Sequence, residues 1–409
     1  MSEGSKPIRI GLLGHGTVGA AFAELLAERA GAVEAATGRR PEIAGVLTRT
    51  EGDFGEIVER SDLVVELMGG TDPARQFVLD ALRAGRPVVT ANKQLLARHG
   101  DELFAVAREA GVQLRFEAAV AAAIPIVRTI QEGFAVTEIS KLFGIVNGTT
   151  NFILSEMAAS GAGYDETLAR AQELGYAEAD PSDDVSGADA AAKMAILARL
   201  AFHTPVTLDE VTYEGIETIQ PDDLAYAKEL GLSLKLLGVA ERRDGGISVR
   251  VFPCFLYRGH PLAPIEGPFN AVMVEAPAIT EVTMSGPGAG GVETASAVLG
   301  DVVSILAGEA PVHETREQLP IVADVGSCFY LYLEVADEPG VLARVAQVLG
   351  DHDVSVKSVV QRGIDDDARL VMVVHECLES RFFAAVEAIG ELDELRSTPR
   401  CIRVIEEEF

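Results

Sequence analysis

The chain is poor in the residues that build metal, disulfide and polyanion sites. Its four cysteines, Cys254, Cys328, Cys377 and Cys401, are scattered with no C-x-x-C spacing, which excludes a zinc knuckle and a disulfide framework. The seven histidines are dispersed, and no H-E-x-x-H or comparable spacing gathers them into a catalytic metal site. Basic residues are outnumbered, 34 Lys+Arg against 63 Asp+Glu, and the formal net charge of −29 repels nucleic acid and anionic membrane surfaces. No apolar run approaches the roughly 18 residues needed to cross a bilayer, and "MSEGSKPIRI" lacks the apolar core of a secretory signal. A cytoplasmic protein with reduced, packed thiols is expected. What the 409 residues do supply is chain enough for two or three domains.

The N-terminal stretch "IRIGLLGHGTVGAAFAELLAER" runs from an apolar strand through Gly14, Gly16 and Gly19 into a helix with apolar positions at Phe22, Leu25 and Leu26. Glycines in such a βα turn allow the tight turn, close approach to a pyrophosphate and close helix packing, and the helix N-terminus offers free N–H groups. Gly14, Gly16, Thr17, Val18 and Gly19 are therefore candidate dinucleotide ligands. After the next strand, "EIAGVL", Arg49 stands where an NAD enzyme usually places an acid for the ribose. A guanidinium there favours the 2′-phosphate of NADP, while Glu51 leaves NAD open. "SDLVVELMGG" and "RPVVTANK" read as further buried parallel strands, and Lys93 lies just past the second. A doubly wound parallel α/β sheet is expected.

The run "GYAEADPSDDVSGADAAAK" gathers Glu178, Asp180, Asp183, Asp184 and Asp189 ahead of Lys193. On a helix, Asp189 and Lys193 share a face. That spacing alone is compatible with a solvated surface pair.

Together with "TANK", "LFGIVNGTTNFIL" and "GPGAGGVETASAVLGDVVSIL", the acidic run resembles homoserine dehydrogenase over residues 8 to about 315. The resemblance implies a Rossmann-type nucleotide domain over 1–125, to which a helix at about 290–318 returns, and an α+β catalytic and dimerisation domain over 126–289. It further implies that Glu178 and the Gly175 backbone hold the head of L-homoserine, that Asp189 orients it with Asp184 adding an outer contact, and that Lys193 is the general acid and base. Lys93 matches a second lysine near nicotinamide and substrate, and Gly290 a glycine that approaches the cofactor. In this family a monovalent cation, Na⁺ or K⁺, binds carbonyls that correspond to Val120, Ala122 and Ile124, together with Glu117. The chain departs from the pattern by carrying Ala122 and Ala123 where the family has glycines, and alanine is penalised at positive φ.

From Cys328 onward strand and helix patterns alternate as β-α-β-β-α-β, which points to a ferredoxin-like module. With "DEPGVLARV" at its first βα turn it resembles an ACT domain. Residues 328–409 are thus expected to form a separable sensor, taking an amino acid such as L-threonine at Asp337 and Gly340 in a homodimer or homotetramer. Two other readings stay open: an oxidoreductase on a different amino-acid aldehyde, and a catalytically silent nucleotide-binding amino-acid sensor.

Overall fold

The computed structural model describes residues 7–308, 318–363 and 368–405. Five strands, β1 (Ile8–Leu13), β2 (Pro41–Leu47), β3 (Leu63–Glu66), β4 (Val88–Thr90) and β5 (Leu114–Arg115), form a parallel sheet of order β2-β1-β3-β4-β5. Successive strand residues feed opposite faces: Val65 and Val89 join a core with Phe22, Leu26, Val298 and Val302, while Val64 and Val88 pack with Leu79, Leu82 and Leu96. The helices Thr17–Thr37 and Gly291–Ala307 pack together on the first face. The part of the expected returning segment beyond Gly308, residues 309–317, lies outside the described residues. Strand order reverses between β1 and β3, and the carboxyl ends of those strands make the crevice where such sheets bind ligands.

A second, mixed sheet contains β6 (Lys141–Ile145), β7 (Thr212–Tyr213), β8 (Leu232–Arg243), β9 (Gly246–Tyr257), β10 (Phe269–Ala276), β11 (Thr280–Pro287), β12 (Gly326–Val335), β13 (Val356–Arg362), β14 (Ala368–Leu378) and β15 (Arg400–Ile405). Its order is β11-β10-β6-β8-β9-β15-β12-β14-β13, with β7 beside β9. Helices Gly148–Ser160 and Ala188–Phe202 belong to this layer. The second is alanine-rich and apolar apart from Asp189, Lys193 and Arg199, which is why it lies buried rather than at the surface.

The last four strands in that order reproduce the expected ferredoxin-like arrangement, with helices Val341–Asp351 and Glu379–Gly390 on one face. The strand that bears on the expected separability is the last one. β15 pairs in parallel with β9 through Arg403↔Cys254, Val404↔Phe255 and Ile405↔Leu256, so one sheet runs through both modules. The period-2 pattern of β12 sends Phe329, Leu331 and Leu333 to the module's own helices and Tyr330 and Tyr332 into the catalytic core. There Tyr332 meets Tyr226 of the helix Pro221–Glu229. Unpaired, β15 would present an open edge that invites association; β9 covers it.

Candidate active site

The glycine turn divides its labour. Gly14 sits at φ +97, and a Cβ there would lie 2.6 Å from the Leu67 carbonyl. A Cβ at Gly19 would run into the Gly14 carbonyl, whereas Gly16 has nothing within 4 Å. Two glycines therefore serve packing, and the middle one leaves open space ahead of the helix Thr17–Thr37. That helix has no side-chain cap, so its first N–H groups are available to an anion. Thr17 is exposed and Val18 half-buried at its start. These residues fit a dinucleotide pyrophosphate. Arg49 is exposed in the turn after β2, beside the glycines because the Gly14 N–H donates to the Leu47 carbonyl at 2.9 Å. Gly290, at φ +135, precedes the helix that packs against Thr17.

Lys93 is aimed by residues the sequence reading did not single out. Glu66, fully buried at the end of β3, accepts from the Thr90 hydroxyl at 2.6 Å and from the Met68 N–H at 2.7 Å. Burial pushes its pKa up. Asn92 caps the helix Lys93–Ala110 by accepting from the Leu95 N–H at 3.1 Å, and donates to the Gly70 carbonyl at 2.6 Å. "TANK" is thus a fixed corner with Lys93 as the first helical residue.

Asp189 lies opposite, in the first turn of the helix Ala188–Phe202, and is only 2 % exposed. One of its oxygens pairs with Lys93 Nζ; the other accepts from Lys193 Nζ at 2.7 Å and from Asn147 Nδ2 at 2.8 Å. Lys193 also donates to the Val146 carbonyl at 2.7 Å. The pair at positions 189 and 193 is therefore not a solvated surface bridge. Burial alone would raise the Asp189 pKa, but the Lys193 and Lys93 ammoniums hold it well below the carboxylate range. Burial alone would depress Lys93, yet Asp189 keeps it above its ordinary value. Asn147 Nδ2 reaches Asp184 as well, at 2.7 Å, and burial together with Asp189 pushes the Asp184 pKa up. The sequence signal for Asn147 was its place as N-cap of the helix Gly148–Ser160; its hold on two carboxylates was not legible.

A cleft of about 510 Å³ unites Lys93, Asp184, Asp189 and Lys193 with Gly175, Glu178 and Gly290. Gly175 and Glu178 are exposed at its rim. Tyr176, Pro268 and Phe269 also line it and were not anticipated.

Two further groups stand apart. Ala121 and Ala122 take positive φ, 57° and 42°, while Ala123 does not; the chain accepts at Ala122 the conformation that alanine disfavours, at a cost of about 1 kcal/mol. Glu117 is buried, and its carboxylate accepts the Val127 and Arg128 N–H groups, each at 2.9 Å. Burial and the neighbouring Asp301 push its pKa up to about 7. In the last module Asp337 and Gly340 line a separate cavity of about 410 Å³ with Leu342 and Gln361. Among the described residues no helix is long and apolar enough to cross a membrane.

Known proteins match this architecture along its length. Family models match in order: the homoserine dehydrogenase NAD-binding domain at residues 14–117, homoserine dehydrogenase at 125–303 and the ACT domain at 329–394. The homoserine dehydrogenase of Corynebacterium glutamicum is 43% identical, over 97% of this chain and 95% of its own. That of Mycobacterium tuberculosis is 41% identical over 99% of both. The crystal structure of a homoserine dehydrogenase from Thiobacillus denitrificans superposes with a TM-score of 0.93 at 37% identity, covering 98% of this chain and 99% of that one. A hyperthermophilic archaeal homoserine dehydrogenase in complex with NADPH covers 75% of this chain and 99% of its own, with a TM-score of 0.65 at 26% identity. Matched along nearly its whole length by relatives of this identity, the chain belongs to the homoserine dehydrogenases, a family of oxidoreductases, with their nucleotide-binding, catalytic and C-terminal ACT domains.

Proposed function

We propose that the protein is a cytoplasmic enzyme that interconverts L-homoserine and L-aspartate 4-semialdehyde, its work divided among residues 1–125, 126–289 and 328–409. The observation that carries this is the single buried carboxylate of Asp189 shared by Lys93 and Lys193 on the wall of the cleft. An ammonium has three donors. Lys193 commits one to Asp189 and one to the Val146 carbonyl, which leaves the third for the substrate oxygen. In reduction Lys193 gives that proton to the oxygen as negative charge develops there, and in oxidation it takes it back. Lys93 keeps Asp189 neutralised throughout, so the buried carboxylate is never left unpaired when Lys193 is without its proton. Glu178 and the Gly175 backbone hold the amino-acid head at the rim, and Asn147, itself held by Asp184, fixes Asp189 from behind. The nicotinamide, when bound, supplies or receives the hydride; the glycine turn, the helix start at Thr17 and Gly290 hold the dinucleotide.

Arg49 makes NADP the preferred cofactor, because only its 2′-phosphate offers a guanidinium an anion to grip. Arg49→Ala should weaken NADP more than NAD; equal effects on the two dissociation constants would remove it as the selector. A monovalent cation, Na⁺ or K⁺, is held by the carbonyls of Val120, Ala122 and Ile124. Glu117 contributes its backbone there, since its carboxylate is engaged elsewhere. An amino-acid effector, L-threonine foremost, occupies the Asp337–Gly340 cavity, where the helix Val341–Asp351 directs its first N–H groups at a carboxylate. The chain works as a homodimer or homotetramer. The decisive assay follows NADPH and NADH oxidation with aspartate semialdehyde, with and without threonine. Turnover of another amino-acid aldehyde in its place would favour the rival substrate, and binding without any turnover the silent sensor.

A further inference from the structure

We propose that Arg403 and Glu214 are positioning residues of the dehydrogenase site, through which the ACT module fixes the segment from which the helix Ala188–Phe202 starts. The proposal rests on the reading of Asp189 and Lys193 as the working pair. Arg403 lies on β15, is 6 % exposed and uses all three guanidinium nitrogens. Nε and Nη2 donate to the two oxygens of Glu379 at 2.8 and 2.7 Å, and Nη1 donates to Glu214 Oε1 at 2.8 Å. Glu379 opens the helix Glu379–Gly390 and is held in turn by Arg250 of β9 and by the Ser327 hydroxyl, at 2.9 Å for the latter. Anchored by this cluster and set over the Phe252 ring of β9, 4.5 Å from its centroid, Arg403 reaches out of its own module with one ion pair, to Glu214.

That residue sits against the start of the catalytic helix. The Glu214 N–H donates to the Val251 carbonyl of β9 at 2.8 Å, and the Ile216 N–H to the Val185 carbonyl at 2.9 Å. Between them, Gly215 is pressed so close that a Cβ would overlap the Val185 carbonyl. Gly187, at φ +88, faces the Glu214 carbonyl, where a Cβ would lie at 2.9 Å. Gly187 is the cap of the helix and stands two residues before Asp189. Segments 185–187 and 214–216 therefore touch backbone to backbone with no slack, and close-packed groups transmit displacement rather than absorb it. A shift of Arg403 moves Glu214, and with it the footing of Asp189. The glycine turn at Gly14–Gly19 belongs to the other module and stays where it is.

A plain ion cluster that only glues two modules together predicts something else: lower melting temperature and no distinction between ligands. The test is Glu214→Gln, which keeps the size, removes the charge and alters a side chain that is 47% exposed, so folding tolerates it. Expected is a rise of about tenfold in KM for aspartate semialdehyde, the scale of substitutions along coupled networks, with KM for NADPH and the melting temperature unchanged. Amide exchange over residues 185–193, followed by mass spectrometry, should quicken by a similar factor. Arg403→Lys, which loses the planar fork, should raise the same KM and add nothing to it in the double variant, whatever its cost in melting temperature. Substrate KM and amide exchange both within about twofold of the parent would overturn the proposal, as would a fall in melting temperature with both KM values moving together. If the parent enzyme does not act on aspartate semialdehyde, the functional reading fails and the exchange measurement alone decides the positioning role.

Discussion

The nucleotide-binding module meets the catalytic module through side chains, whereas the ACT module shares a sheet with it. At the first junction the helices Lys93–Ala110 and Ala188–Phe202 both begin at the cleft, joined there by Lys93 and Asp189 and further along by Asp101 and Arg199. Those pairs are partly wet: the Lys93 and Asp101 side chains are 37% and 54% exposed. At the second junction backbone pairing between β15 and β9 is backed by Arg250, Glu379 and Arg403, none with a side chain more than 12% exposed. A junction of side-chain contacts breaks no ladder hydrogen bonds when it adjusts, which suits a cleft that must admit and release a dinucleotide. A shared ladder with a dry ion cluster opens only with loss of the core, which suits a part that must pass on a small displacement.

Removing residues 324–405 breaks the second junction outright, and the largest effect is expected there. The cut uncovers the β9 edge together with Phe255 and Tyr226, which now pack against Tyr330 and Tyr332. Loss of soluble, folded protein is the expected outcome, read from yield, circular dichroism and size-exclusion behaviour. A monomeric, active product would show that the two modules share a sheet without depending on it. At the first junction the expected loss is chemical. Lys193→Ala should lower kcat by at least about 100-fold, the usual scale for a positioned acid or base, with dinucleotide binding and melting temperature intact. A fall below about fivefold would take Lys193 out of the mechanism.

A smaller effect is expected at the rim. Glu178→Ala loses one contact to the substrate ammonium and should raise KM for homoserine by about tenfold at nearly constant kcat. Should kcat fall instead while KM holds, Glu178 would belong to the chemistry and not to binding.

The two junctions also differ in how far the sequence disclosed them. The glycine turn, "TANK" and the acidic run are local patterns, and Gly14 and Lys93 could each be placed at an element boundary and Lys193 on a helix. Their convergence could not be read, because Lys93 and Asp189 lie 96 positions apart and meet only when two helices start at one point. Asn147 and Glu66 were missed for the same reason: a cap and a strand end look ordinary until their partners arrive. The β-α-β-β-α-β order of the ACT module was plain in its alternation. That β15 would pair with β9 was not, since a strand's sequence shows which residues alternate and is silent on which neighbour takes its free edge. The pattern of Tyr330 and Tyr332 between Phe329, Leu331 and Leu333 was the available hint that both faces of that sheet are buried.

The smallest effect tests how dry the shared sheet is. Lys235 lies on β8, is 3% exposed and donates to the Ile265 carbonyl. Burial pushes its ammonium down to about 8, and Glu266 offsets this only in part. Between that value and the ordinary 10.5 the unfolded chain therefore binds more protons than the folded one. The sign follows directly: stability rises with pH across that interval, and the penalty for burying the charge is fully present below it. Lys235→Met removes the charge and keeps the length. It should raise the melting temperature at pH 7 by a few degrees, roughly 2 to 4 °C, and the gain should shrink toward zero by about pH 10.5. The loss of one hydrogen bond to Ile265 works against the gain, but at every pH alike, so the slope separates the two. A difference between the proteins that does not change with pH would mean that water reaches Lys235, and that the sheet joining the catalytic and ACT modules is no drier than the helix junction on the other side.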